Sequence, residues 1–517
     1  MSPLPPSRLP AVPPLMPRTP SVPGLLIPLD PRSPVPLHRQ LYEGIREAIV
    51  SGRVPAGGRV PSTRGLAKYL GVSRTTVMVA FEQLVTEGYL VGTVGSGSYV
   101  ARHIPDHLLQ ARRMPGPPGG GITTAPRVAA RVGMLRELPR GPFLGREPRP
   151  FRPGIPPVDE FPLALWSRLA ARRYRALGAA ELYHGMPAGY PPLREAIAGY
   201  LTAARGVRCT PEQVMVLSSA QEALELACRV LLDPGDPAWL EDPTWIGARG
   251  ALVAAGARIA HVPVDGEGLR VDLGIAAAPD ARVVYVSPSH QYPAGVTLSV
   301  ERRLALLRWA ERAGAWILED DYDSEFRYAG RPLTALQGLD PASRVLYIGT
   351  FNKTLFPALR TGYIVLPPSL VEPFLAVRRI GAQHAPTVDQ AILADFIDQG
   401  HYARHVRRVR ATCEERRDVL LAAARRDLTS WLELEEPETG LHTVGWLRPG
   451  LDDRIASDAA VRLGVEVAPL SGLSIAHRAR PGLLLGYAAY RPGEIRAGIR
   501  RLAEALASIG GGAGPAV

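Results

Sequence analysis

The chain has 517 residues, enough for two or three domains. Hydrophobic residues make up 46 % and charged residues 21 %, which excludes wholesale disorder, and no run of about 18 uncharged apolar residues offers a membrane span. The net charge of +11 divides as +2 in residues 1–36, +3 in 37–100 and +6 in 101–150, leaving 151–517 neutral overall, so a polyanion is expected at the N-terminal end.

Residues 1–36 hold 13 prolines and read as an extended, disordered tail, because proline fixes φ and lacks a donor. From Leu37 a four-residue stripe of Leu37, Leu41, Ile45 and Ile49 predicts a helix. A turn through Gly52, Pro55, Gly57 and Gly58 follows. Ser62 is an N-cap for a second helix carrying Leu66 and Leu70, which Gly71 ends. Ser73 caps a third, with Val77, Phe81 and Leu84 inward and Gly88 at its end. Tyr89–Val91 and Ser98–Val100 then pair as strands around Gly95-Ser96-Gly97. This order predicts a winged helix-turn-helix over 37–100. Its third helix would enter the major groove of duplex DNA with Arg74, Thr75 and Thr76 nearest the bases. Arg64 would reach the backbone, and Gly95 would let the wing approach the minor groove.

Residues 101–150 carry nine Pro, seven Gly and nine Arg and read as a flexible linker. Residues 151–517 alternate short β-rich runs with amphipathic helices, which predicts an α/β domain on a mostly parallel sheet. Cys209, Cys228 and Cys413 are scattered, which excludes a disulfide framework and suits a reducing cytoplasm.

Only two of the 60 basic side chains are lysines, Lys68 and Lys353. Arginine replaces lysine as a charge, but only a primary amine forms a Schiff base. Lys353 follows the strand-like run Val345–Gly349, with Thr350 before it and Arg360 seven residues after. A second run, Ala315–Glu319, leads into Asp320-Asp321-Tyr322. A third, Val214–Leu217, leads through Ser218-Ser219-Ala220 into a helix from Gln221. These groups suit pyridoxal 5'-phosphate (PLP). Lys353 would bind its aldehyde, and an acidic side chain of the Asp pair would keep the pyridine nitrogen protonated. Tyr322 would bond the ring oxygen, and Trp245 would stack on the ring. Thr350, Arg360 and the N–H groups at Ala220 and Gln221 would hold the phosphate.

The N-terminal text Val60-Pro-Ser-Thr-Arg64, Leu70-Gly-Val-Ser-Arg-Thr-Thr-Val77 and Glu87-Gly-Tyr-Leu90 resembles the GntR family of bacterial regulators. The resemblance places DNA contacts on Arg64, Arg74, Thr75, Thr76 and Gly95. The remainder is similar to fold-type I aminotransferases. With Tyr285–Gly295, Glu319–Tyr328 and Gly349–Lys353, the whole chain resembles the MocR family, a GntR-type winged helix fused to an aminotransferase-like domain. The resemblance implies that Asp320 is the pyridine partner; sequence chemistry alone does not separate it from Asp321. It also implies a homodimer, with residues 101–150 long enough to reach the partner's large domain.

Three positions depart from the aminotransferase pattern. Tyr292-Pro-Ala-Gly295 stands where Asn-Pro-x-Gly is usual. His184, with Tyr183 beside it, stands where a phosphate tyrosine is usual. Leu484 occupies the place of the substrate-carboxylate arginine, with Arg478, Arg480 and Arg491 nearby. The expected protein is therefore a regulator that binds a DNA operator and senses PLP or an amino compound. The alternatives are a working aminotransferase with a DNA-binding module, and a DNA-binding protein whose large domain is only a scaffold.

Overall fold

The computed structural model describes residues 27–93, 97–104, 127–138, 147–330, 333–477 and 480–510. The chain divides into two units, 1–126 and 127–517.

In the first unit, α1 (Leu37–Val50), α2 (Thr63–Leu70) and α3 (Arg74–Thr86) precede strands β1 (Leu90–Thr93) and β2 (Gly97–Val100). The strands pair antiparallel, Leu90 opposite Val100. Both predicted caps form: Ser62 Oγ accepts from Gly65 N at 3.1 Å, and Ser73 Oγ from Thr76 N at 3.0 Å. Gly71 ends α2 at φ 66°, a conformation that costs a side-chain residue strain. Leu41, Ile45, Leu66, Val77, Phe81 and Leu84 form the core.

The unit extends beyond the expected 37–100 at both ends. Ile27 is buried in this core, and a Cβ on Gly44 would stand 2.5 Å from its Cγ2. The Gln40 carboxamide ties down Asp30, accepting from its N at 2.9 Å and donating to its O at 3.0 Å. Within the expected tail, Ile27 is therefore packed while most of residues 28–36 are exposed: proline removes donors but does not prevent an extended segment from burying an isoleucine. Residues 1–26 lie outside the described residues. At the other end, Ile104 is buried in the same core, and Ala101 N donates to Tyr89 O at 2.9 Å.

The second unit likewise takes up parts of the expected linker. Helix α4 (Ala130–Glu137) lies on α8 (Ile246–Ala255), and Pro150 O accepts from Glu466 N at 2.9 Å. Residues 105–126 and 139–146 lie outside the described residues. The helices between and after these are α5 (Leu163–Arg175), α6 (Pro191–Arg205), α7 (Ala220–Leu231), α9 (Val271–Ala277), α10 (Val300–Ala313), α11 (Leu336–Leu339), α12 (Val371–Ile380), α13 (Thr387–Asp398), α14 (His401–Asp427), α15 (Asp453–Arg462) and α16 (Pro492–Gly510).

The main sheet comprises β3 (Val214–Leu217), β4 (Pro237–Asp242), β5 (Arg258–Asp265), β6 (Gly268–Leu269), β7 (Val283–Val286), β8 (Trp316–Asp321), β9 (Val345–Thr350) and β10 (Gly362–Val365). Their order is β3-β10-β9-β8-β7-β4-β5-β6. Neighbours from β9 to β5 run parallel, whereas β10 is antiparallel to both β9 and β3. Strands β4, β7 and β9 are buried along their whole length, as a sheet covered on both faces requires. A smaller antiparallel sheet, in the order β11 (Leu432–Leu434), β12 (His442–Leu447), β14 (Gly482–Gly486) and β13 (Ala468–Pro469), shares a core with α14, α15 and α16.

Candidate cofactor site and nucleic-acid interface

The ends of β3, β8 and β9 and the start of β10 meet at one edge of the main sheet. Asp321 lies opposite Gly349, and Gly362 pairs with both Thr350 and Leu217. Helix α7 begins just beyond β3, capped by Ser219. A Cβ on Gly362 would stand 2.9 Å from Ala220 N, so only glycine lets β10 approach the helix start this closely. Thr350, Ala220 and the Arg360–Gly362 turn therefore converge. Arg360 takes φ 49° and is exposed; Thr350 Oγ1 donates to Thr361 O at 3.4 Å. Gln221 Nε2 donates to Gly247 O at 3.1 Å, and both Gln221 and Trp245 press against Gly247, which has no Cβ in their way.

Asp320 and Asp321 are consecutive on β8, so they point to opposite faces. Asp321 is satisfied: it pairs with Arg205 at 2.8 Å and accepts from Tyr347 OH at 2.6 Å. Asp320 accepts from Tyr285 OH at 2.7 Å through Oδ2, while its buried Oδ1 has no partner among the described residues. An orphaned buried carboxylate oxygen is costly and marks a place for a donor. Burial pushes the Asp320 carboxyl up to about 7, although the Tyr285 bond and the Lys353 charge oppose the shift. Burial lowers the Lys353 amine, against the pull of Asp323 and Asp320, which favours the neutral nucleophile. Lys353 Nζ donates to Gly154 O at 2.7 Å.

Pyridoxal phosphate fits these residues. An amine within electrostatic reach of Asp320, a carboxylate oxygen unpartnered among the described residues, and a hydroxyl and a guanidinium beside a helix start are the groups its aldehyde, ring nitrogen and phosphate require.

Tyr322 OH lies 3.1 Å from His290 Nδ1, which is also 2.9 Å from Asp323 Oδ2. Tyr292, in place of the usual Asn, stands edge-on to Tyr322 and His442. The buried His442 Nε2 has no partner among the described residues; burial and the charges of His290 and Lys353 push its pKa well down. Sequence reasoning assigned no role to Tyr285, Asp323, His442 or Gly154. Tyr285 and Asp323 lay inside quoted motifs, whereas His442 and Gly154 arrive through tertiary contacts without a local pattern.

Leu484 is fully buried in β14. Arg480 pairs with Glu433 at 3.1 Å and lies over Trp446, and Arg491 is 3.6 Å from Asp159; Arg478 lies outside the described residues. Tyr183 is exposed, and His184 meets His384 edge-on.

In the winged helix, Arg64, Arg74 and Thr75 are exposed, and Thr76 is half-buried with its hydroxyl 2.8 Å from Ser73 Oγ. Gly95 lies outside the described residues. Arg59, also exposed, lies beside Gly97 on the wing and forms a bridge to Tyr99.

A winged helix joined to an aminotransferase-type sheet defines a transcription regulator that binds DNA through its N-terminal module. Residues 37–100 match the gntR family of bacterial regulatory proteins, and 168–480 match aminotransferase class I and II. The chain is 42 % identical over 482 residues, 93 % of its length and 96 % of the relative's, to the probable rhizopine catabolism regulatory protein MocR of Rhizobium meliloti. It is 35 % identical to the HTH-type transcriptional regulator TauR of Rhodobacter capsulatus, covering 91 % of this chain and 96 % of that one. Among solved structures it is similar to LysN, the alpha-aminoadipate aminotransferase of Thermus thermophilus, complexed with N-(5'-phosphopyridoxyl)-L-leucine. There the TM-score is 0.64 at 28 % identity, covering 74 % of this chain and 95 % of that one. The chain belongs to the MocR family of regulators.

Proposed function

We propose that this regulator holds PLP at Lys353 and that the cofactor, or an amino compound reacting with it, alters DNA binding. The unpartnered Asp320 Oδ1 carries the reading, since a protonated pyridine nitrogen is the donor it lacks. Bound PLP would supply an electrophilic carbonyl carbon and an electron-withdrawing ring. Thr350, Arg360 and the Ala220–Gln221 amides would hold its phosphate, Trp245 would cover a ring face, and Tyr322 would meet the ring oxygen. Leu484 stands where an aminotransferase carries its substrate-carboxylate arginine, and of the nearby arginines Arg480 pairs with Glu433 and Arg491 with Asp159; substrate capture weaker than in an aminotransferase would suit sensing rather than turnover. The exposed apolar residues Tyr174, Leu182, Tyr183 and Met186 suit a homodimer in the cytoplasm.

The test is the visible spectrum of the full chain with PLP, beside salt-dependent binding to DNA from its own operon and sedimentation of the same samples. A PLP band present in the wild type, absent in Lys353→Ala and altered by an amine that also changes DNA affinity is the expected result. Conversion to a pyridoxamine spectrum that a keto acid reverses, over many turnovers, would make the chain an enzyme. An absent band would remove PLP, and a single slow-sedimenting species would remove the dimer.

A further inference from the structure

A buried trio stands behind Tyr322. His290 and Asp323 are 2 % and 1 % exposed, and the imidazole Nδ1 lies 2.9 and 3.1 Å from the two Asp323 oxygens and 3.1 Å from Tyr322 OH. One nitrogen carries at most one proton. The charge-assisted bond to a carboxylate outcompetes one to a phenol, so Nδ1 holds its proton toward Asp323. It then has no lone pair with which to accept from Tyr322, and the phenol oxygen can only share that N–H.

We propose that Asp323 and His290 are positioning residues for Tyr322: they fix the imidazole tautomer so that the phenol keeps its own proton for a ligand oxygen. This assignment rests on the PLP reading above, and the ligand oxygen is the anionic ring oxygen of the cofactor. The packing holds the trio in place. The His290 ring stacks on that of Tyr322 and is tilted against that of His442, with centroids 5.9 and 5.0 Å away. Gly440 and Gly295 pass so close to it that a Cβ on Gly440 would overlap the ring. Without Asp323 the imidazole is free to place its proton on Nε2. Nδ1 then accepts from Tyr322, and the phenol proton turns away from the ligand.

The readout is the pH at which the visible band of the PLP-loaded full chain changes. The groups bearing on Tyr322 are Tyr285, Tyr292, Asp320 and Asp323, and those on Lys353 are Asp320 and Asp323, with the neutral His442 beside them. A proton donated to the ring oxygen stabilises its anion and makes the neighbouring proton easier to lose. Losing that donor raises the midpoint, by about one pH unit for one hydrogen bond to a charged atom. Tyr322→Phe is therefore expected to raise the midpoint. His290→Gln keeps the Asp323 charge, which favours the protonated Lys353 nitrogen, and offers the phenol an amide oxygen, so it is expected to raise the midpoint in the same direction. The double variant should go no further than Tyr322→Phe alone. A wild-type midpoint in a folded His290→Gln, or additive shifts in the double variant, would overturn the assignment while leaving PLP binding intact. No band in the wild type would instead overturn the PLP reading, and this assignment with it.

Discussion

Two adjacent aspartates on one strand have opposite fates because successive strand residues face opposite ways. Asp321 neutralises Arg205, whose side chain is 5 % exposed. Removing that charge leaves a buried guanidinium without its carboxylate, which costs about 3–5 kcal/mol. Asp321→Asn is therefore expected to lower the denaturation midpoint sharply with or without PLP. Asp320→Asn keeps the bond from Tyr285 and swaps one unpartnered polar atom for another, so it should cost the cofactor-free fold far less than Asp321→Asn does, while weakening PLP retention. Chemical denaturation and equilibrium dialysis with PLP separate the two; equal stability losses would refute the division of roles. The sequence showed two acids before a tyrosine and a lone lysine, but not which acid was already occupied. That was decided by Arg205 and Tyr347, distant in sequence, through strand register.

At the scale of elements, the most legible parts were those whose signals are local. Ser62, Ser73 and Gly71 act within one helical turn of themselves, so caps and stops could be read directly from the text. Ile27 was missed because its partner is the missing Cβ of Gly44, and the ordered pieces of residues 101–150 were missed because their partners lie far along the chain. The start of α3 has the same division between local and distant roles. The Thr76 hydroxyl is spent on Ser73, whereas Arg74 is exposed and free to meet DNA. Arg74→Ala should weaken operator binding by about 1–3 kcal/mol if it reads a base, or cut the salt slope by about one if it holds a phosphate. Thr76→Val should cost stability of under about 1 kcal/mol at the cap with the salt slope unchanged. Binding isotherms at several salt concentrations check both; an unaffected Arg74→Ala would remove α3 from the interface.

For the molecule as a whole, the sheet edge that builds the cofactor site concentrates buried acids. Burial raises Glu241 to about 8 and Glu319, Asp320 and Glu325 to about 7 each. A carboxyl that keeps its proton to about pH 8 when folded, but only to its ordinary 4.5 when unfolded, takes up protons on folding. Its contribution to stability is complete below about pH 4.5 and is lost as pH rises toward 8. Surface acids such as Asp272, held low by Arg270, act in the opposite sense but at lower pH, and solvent screens them. The cofactor-free chain should therefore lose stability between about pH 4.5 and 8. Glu241→Gln isolates one contributor. Ser287 N and Oγ donate to Glu241 Oε2 at 3.2 and 2.9 Å, and the oxygen of a carboxamide can accept both without a titrating proton. The variant should match wild type near pH 5 and exceed it near pH 8 in thermal midpoint, because only the wild type must then ionise or hold a proton against solvent. PLP should narrow the difference contributed by Asp320, since a cationic N–H beside Oδ1 brings that carboxyl back down. Parallel pH profiles for wild type and Glu241→Gln would mean that the buried carboxyl does not couple protons to folding, and that solvent reaches this edge of the sheet.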